Sequence, residues 1–93
     1  MDFKDNIHKI KLLTAEVIKM QQARENFDKK AKDIENAFNL AEYVIRMRME
    51  NGDDISDLLE KREELTKEFE ELIKEQKVIF ETHEKFMRDN GLR

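Results

Sequence analysis

Asn51-Gly52-Asp53-Asp54 is the one strong break inside a chain whose pattern is otherwise helical. Gly52 can adopt a left-handed backbone conformation without steric cost, as the residue just past a helix end often does. A short carboxylate at Asp53 or Asp54 can cap the helix that follows. One helix therefore ends and another begins within a few residues, and connections this short join antiparallel neighbours. The sequence predicts a hairpin of two long helices folded at Gly52.

The composition points to the same architecture. The 93 residues include no Pro, no Cys, no Trp and two Gly, and 43% of them are charged. So few turn residues argue against an all-β fold, and this composition is typical of long helices and coiled coils. We predict one all-α domain over residues 1–93, with helix 1 at about 5–49, a turn at 50–53 and helix 2 at about 54–89.

A heptad pattern runs along the first helix without interruption. With Ile10 at position a, ten of the twelve a and d positions are apolar: Ile10, Leu13, Val17, Met20, Arg24, Phe27, Ala31, Ile34, Phe38, Ala41, Ile45 and Arg48. Such regularity predicts a coiled-coil-like seam. The second helix has apolar residues at every d position, and its apolar face widens over positions a and e. Polar residues within a seam often set register and partner number. The candidates for this role are Arg24, Arg62, Gln76 and His83.

Folding the helices together leaves apolar surface without a partner. An antiparallel hairpin about Gly52 pairs residues whose numbers sum to roughly 103, so Ala41 should face Arg62 and Met20 should face His83. Arg62 could pair with Glu42 or with another acid. Helix 2 then ends opposite about Leu13, which leaves Phe3, Ile7 and Ile10 uncovered. We predict a homodimer, most simply an antiparallel four-helix bundle. The alternative is a three-helix monomer, with helix 1 broken near Asn26-Phe27-Asp28.

Further apolar residues lie beside the seam at the end of helix 1: Leu40, Tyr43, Val44, Met47 and Met49. They fit either a wide bundle core or an exposed binding patch, in which flexible methionine side chains suit adaptable contacts. The segment from Phe3 to Met20 also has the lysines of a membrane-surface helix. Because its heptad continues beyond Met20, we favour packing against protein.

Charge is unevenly distributed. Residues 1–49 hold ten Lys/Arg against eight Asp/Glu, giving +2, whereas residues 50–93 hold eight against fourteen, giving −6. The absence of a basic stripe argues against direct nucleic-acid binding. An acidic face could instead occupy the basic groove of a nucleic-acid-binding protein, with candidate residues Glu63, Glu64, Glu70 and Glu71. The other reading is a solvated helix face with ion pairs four residues apart.

No motif for catalysis is present. The sequence has no Gly-rich phosphate loop, no nucleophile beside a base and no metal-ligand cluster, so we expect no enzyme activity, no cofactor and no metal. His83, near Glu81 and Glu84, fits a hydrogen-bonded interface residue or a pH-dependent dimer contact. With no signal peptide or membrane span in the pattern, we expect a cytoplasmic protein.

We therefore predict a non-enzymatic helical module that dimerises and acts on another protein as an adaptor, chaperone or regulator. The alternative is an acidic inhibitor, possibly encoded by a phage, that mimics nucleic acid and occupies the basic groove of a nucleic-acid-binding protein.

Overall fold

The fold is a pair of long helices joined by a tight turn. The computed structural model describes residues 3–91, with α1 at Phe3–Glu50 and α2 at Ser56–Asp89. The molecule measures 74 × 16 × 14 Å, because the 48 residues of α1 rise by about 1.5 Å each. The prediction of an all-helical chain with two long helices is confirmed. α1 also passes through Asn26-Phe27-Asp28 without a break, so the three-helix alternative is wrong.

The turn closes α1 with a Schellman motif. Gly52 has a φ of 74°, the left-handed conformation that an L side chain rarely adopts. The amide of Gly52 donates to the carbonyl of Met49 at 3.1 Å, and the amide of Asp53 donates to the carbonyl of Arg48 at 2.9 Å. These are the two bonds that satisfy the free carbonyls at such a helix end.

Asp54 marks the start of α2. Its Oδ1 accepts a 2.7 Å bond from the Ser56 hydroxyl and a 3.0 Å bond from the Ser56 amide. These two bonds hold the pKa of Asp54 below its ordinary value. The helix begins at Ser56, two residues later than expected. Its cap residue is Ile55, which supplies no side-chain hydrogen bond. Across the turn, Arg48 pairs with Asp57 at 3.2 Å.

The core of the hairpin is narrow. Within residues 3–91, the buried apolar residues are Ala41, Ile45, Leu65 and Leu72. No large side chain in this range is fully enclosed. All four lie in the half of the hairpin nearer the turn. One partner helix covers only a thin stripe, so the rest of each predicted apolar face stays half-buried or exposed.

The predicted a and d seam of α1 changes direction toward the open end of the hairpin. Val17 was expected on the seam at position a, but it is 46% exposed. Met20, a predicted seam residue at position d, is half-buried, and so is Leu12, which lies outside the predicted seam; Glu16 between them is buried. The helix therefore turns Glu16 toward α2, where His83 offers a hydrogen-bonding partner, and leaves Val17 facing outward.

Candidate interaction surfaces

Two adjoining grooves lie between the helices on one side of the hairpin. The groove that we call the His83 groove has a volume of about 540 Å³ and is lined by Val17, Met20, Gln21, Arg24, Phe27, Asp28, Gln76 and His83. The groove that we call the Phe38 groove has a volume of about 370 Å³ and is lined by Ala31, Ile34, Glu35, Phe38, Leu65, Thr66 and Phe69.

The lining residues show that the two grooves share a side. On α1 they recur every three or four residues from Val17 to Phe38, which is the spacing of neighbours along one helix face. On α2, Phe69, Gln76 and His83 recur every seven residues, which again keeps one face. The Phe38 groove is mainly apolar, with Glu35 and Thr66 as its polar side chains. We call this side of the hairpin the apolar side.

The opposite side of the hairpin is strongly charged. Its groove near the middle of the molecule is lined by Ile34 and Leu72 together with five charged residues: Lys30, Asp33, Glu68, Glu71 and Glu75. A second groove there has a mostly polar rim with Lys19, Gln22 and Asn26. The two sides of the hairpin therefore differ in chemistry, and the apolar side is the better surface for packing against protein.

Three of the apolar residues predicted near the end of α1 form one exposed line. Leu40, Tyr43 and Met47 are 63%, 59% and 46% exposed, and their spacing of three and four residues places them together. We call them the outer patch. Tyr43 lies two residues from both Ala41 and Ile45, whose burial against α2 directs Tyr43 away from that helix. Val44 is half-buried, and Met49 is exposed but lies off this line.

The N-terminal part of α1 extends past α2. Glu16 contacts His83, and α2 ends six residues later at Asp89, so antiparallel geometry ends α2 opposite about Ile10. We call residues 3–10 the overhang. Its apolar side chains Phe3, Ile7 and Ile10 are 75%, 37% and 62% exposed. The sequence predicted this uncovered stretch at the same residues.

The polar seam residues have different environments. The guanidinium of Arg62 donates a 2.8 Å bond to Oε1 of Glu42, one of the acidic partners that the sequence left open. His83 Nδ1 lies 2.8 Å from Oε1 of Glu16. His83 also lines the His83 groove together with Met20, the residue expected to face it. Gln76 is half-buried in that groove, and Arg24 is exposed at its edge.

Glu16 was missed by the sequence reasoning. It occupies a heptad position outside a and d, where charged residues are ordinary, and nothing marks it in the sequence as buried. Only the spacing of Leu12, Glu16 and Met20, four residues apart, could have placed it on the same face as two apolar neighbours. Its carboxylate is accommodated because His83 supplies a partner.

The four acidic candidates on α2 are all exposed. Glu63 and Glu70 are seven residues apart and share one line, and Glu64 and Glu71 share the neighbouring line. Local lysines partly offset two of them, with Lys67 at 3.8 Å from Glu63 and Lys61 at 4.0 Å from Glu64. Such exposed pairs contribute little to stability.

Comparison with protein-family models, with curated proteins and with solved structures found no match. Neither helix within residues 3–91 has the length and apolar character needed to cross a bilayer. The same residues contain no group of three or more His, Asp or Glu side chains arranged to hold a metal ion.

Proposed function

We propose that this protein is a non-enzymatic interaction module that self-associates through its apolar side and binds another protein through its outer patch. The observation that carries the proposal is the accessible surface of 7688 Å². A compact monomer of 11.2 kDa would expose about 5,700 Å². The hairpin thus exposes about 2,000 Å² more than a compact fold of its mass.

That excess is enough for a stable dimer. A standard protein–protein interface removes about 800 Å² from each partner. The apolar side is the natural place for it, because the Phe38 groove and the exposed Phe69 beside it would otherwise face water. Packing two hairpins together there produces a four-helix bundle.

The outer patch supports binding to a different protein. Leu40, Tyr43 and Met47 lie away from α2 and off the line of the apolar side, so a dimer formed on that side leaves them exposed. Tyrosine and methionine are enriched at the centres of protein interfaces. An adaptor, chaperone or regulator of another protein would use such a surface in both copies of the dimer. The cytoplasmic location expected from the sequence stays a prediction.

The test separates self-association from partner binding. Light scattering across a dilution series measures the mass, and Phe69→Glu should reduce the dimer because it places a charge on the apolar side. The double variant Tyr43→Ala/Met47→Ala should keep the dimer mass and lose a partner captured by the wild type from the native host. A monomer at every concentration would refute self-association, and equal capture by the double variant would refute the role of the outer patch.

The acidic inhibitor is the second candidate, supported by the exposure of Glu63, Glu64, Glu70 and Glu71 and by the −6 charge of residues 50–93. Binding to a basic groove would weaken steeply as salt rises. Charge reversal to Lys at these four positions should then abolish binding, whereas the outer-patch double variant should leave it unchanged. Salt-insensitive binding that is lost with Tyr43→Ala/Met47→Ala would favour the adaptor.

A further inference from the structure

The overhang and the Phe38 groove have matching dimensions. Phe3, Ile7 and Ile10 are spaced by four and three residues, the pattern with which a helix anchors in an apolar groove. On α1, the groove presents Ala31, Ile34 and Phe38, which span the same seven residues. Run antiparallel, the two series place Ile10 opposite Ala31, so a large side chain meets a small one.

Charge also matches between the two surfaces. The overhang, residues 3–10, carries Lys4, Lys9 and Asp5, a net +1. Glu35 lines the Phe38 groove. Glu63 and Glu70 lie three residues before and four residues after Thr66, and therefore along the Thr66 edge of the groove. A basic helix approaching the groove meets carboxylates on both rims.

We propose that the overhang of each protomer docks antiparallel in the Phe38 groove of a second copy. This inference rests on the self-association proposed above and specifies its geometry. Ile10 lies over the second copy's Ala31, Ile7 beside its Ile34 and Phe3 beside its Phe38. The residue numbers of each pair sum to 41, so each contact occurs twice with the two copies exchanged. A two-fold axis therefore relates the docked overhangs, and the assembly is a closed dimer.

The alternative arrangement of the bundle leaves the overhangs uncovered. If two hairpins packed with their turns at the same end, α1 would lie over the second copy's α2. Because α2 ends opposite about Ile10, both overhangs would still project beyond it. The antiparallel arrangement covers both overhangs and fills both Phe38 grooves. It therefore buries apolar area that the single hairpin leaves exposed.

Engineered cysteines test the arrangement directly, since the chain has no cysteine of its own. The double variant Ile10→Cys/Ala31→Cys, in the full chain under mild oxidation, should form a covalent dimer on a non-reducing gel. The matched control is Ile10→Cys/Leu40→Cys, because Leu40 is two residues from Phe38 and so lies on another face of α1. The control should yield little covalent dimer.

A second measurement uses the unmodified dimer. Ile7→Asp should raise its dissociation constant by about tenfold or more, because a carboxylate would enter an apolar groove, and Leu40→Asp should leave it unchanged. A dimer without cross-linking above the control, or unaffected by Ile7→Asp, would overturn the docked overhang and leave self-association standing. A monomeric wild type would overturn both proposals.

Discussion

His83 Nδ1 lies 2.8 Å from Oε1 of Glu16, which joins the two helices across 67 residues of sequence. The side chain of Glu16 is 8% exposed and that of His83 is 21% exposed. A hydrogen bond at this depth matters because each group would be left without its partner if the other were removed. The pair fixes the helices where the apolar core has already ended.

We predict that Glu16→Ala lowers the free energy of unfolding by about 1–3 kcal/mol, because His83 loses its partner. Glu25→Ala is the matched control, since Glu25 is exposed on the same helix, and it should change stability by less than about 0.5 kcal/mol. Urea titrations at one fixed protein concentration measure both, which keeps any self-association constant.

A double-mutant cycle with His83→Ala isolates the contact itself. If the two side chains stabilise each other, the double variant should lose less stability than the sum of the single variants, by about 0.5–3 kcal/mol. Purely additive losses would show that the pair contributes no interaction energy. Such a result would leave Glu16 as a buried residue without a stabilising contact.

Leu65, at 4% exposure, is the most buried apolar residue among residues 3–91. Leu65→Ala should cost about 2–4 kcal/mol, through lost burial and the cavity that remains. Leu40→Ala makes the same chemical change at a position that is 63% exposed. Thermal or urea unfolding that shows equal losses for the two variants would contradict the observed core.

The sequence was sufficient to predict the hairpin and its uncovered end. The Asn51-Gly52 break, the heptad of α1 and the d positions of α2 are local signals, and each is strong by itself. Because α1 is longer than α2, the overhang follows by arithmetic from the position of the turn. The partner of Arg62 was left open between Glu42 and other acids, because the register alone does not decide between neighbouring side chains.

The direction of each helix face could not be predicted. Heptad positions identify an apolar face, but one partner helix covers only part of it, and the sequence does not say which part. Val17 is exposed while Glu16 is buried, because the contact with His83 adds hydrogen-bond energy that periodicity ignores.

Gly52 provides a test of the turn. Its φ of 74° suits glycine, and a Cβ added there would meet nothing within 4 Å. Gly52→Ala should therefore destabilise the hairpin through backbone strain alone, by about 1–2 kcal/mol. Gly52→Asn should cost less, since asparagine tolerates the left-handed region. Equal losses for both variants, measured by thermal unfolding, would show that this strain does not decide the effect.

Asp54 makes the start of α2 sensitive to acid. Bonds from the Ser56 hydroxyl and amide lower its pKa below the ordinary value of 3.8 in the folded state. A carboxyl whose folded pKa is lowered contributes stability that is fully present above its unfolded pKa and is lost as the pH falls through the folded value. The contribution is therefore complete near neutral pH and disappears in strong acid.

Asp54→Asn should accordingly lower the thermal midpoint near neutral pH, and its difference from the wild type should shrink as the pH falls into strong acid and the wild-type carboxyl becomes protonated. Because acid also affects the rest of the protein, only the difference between the two proteins at each pH is informative. Asp53→Asn is the matched control, because both Ser56 bonds go to Asp54. A wild-type to Asp54→Asn difference that stays constant from neutral pH to strong acid would show that ionised Asp54 does not stabilise the start of α2.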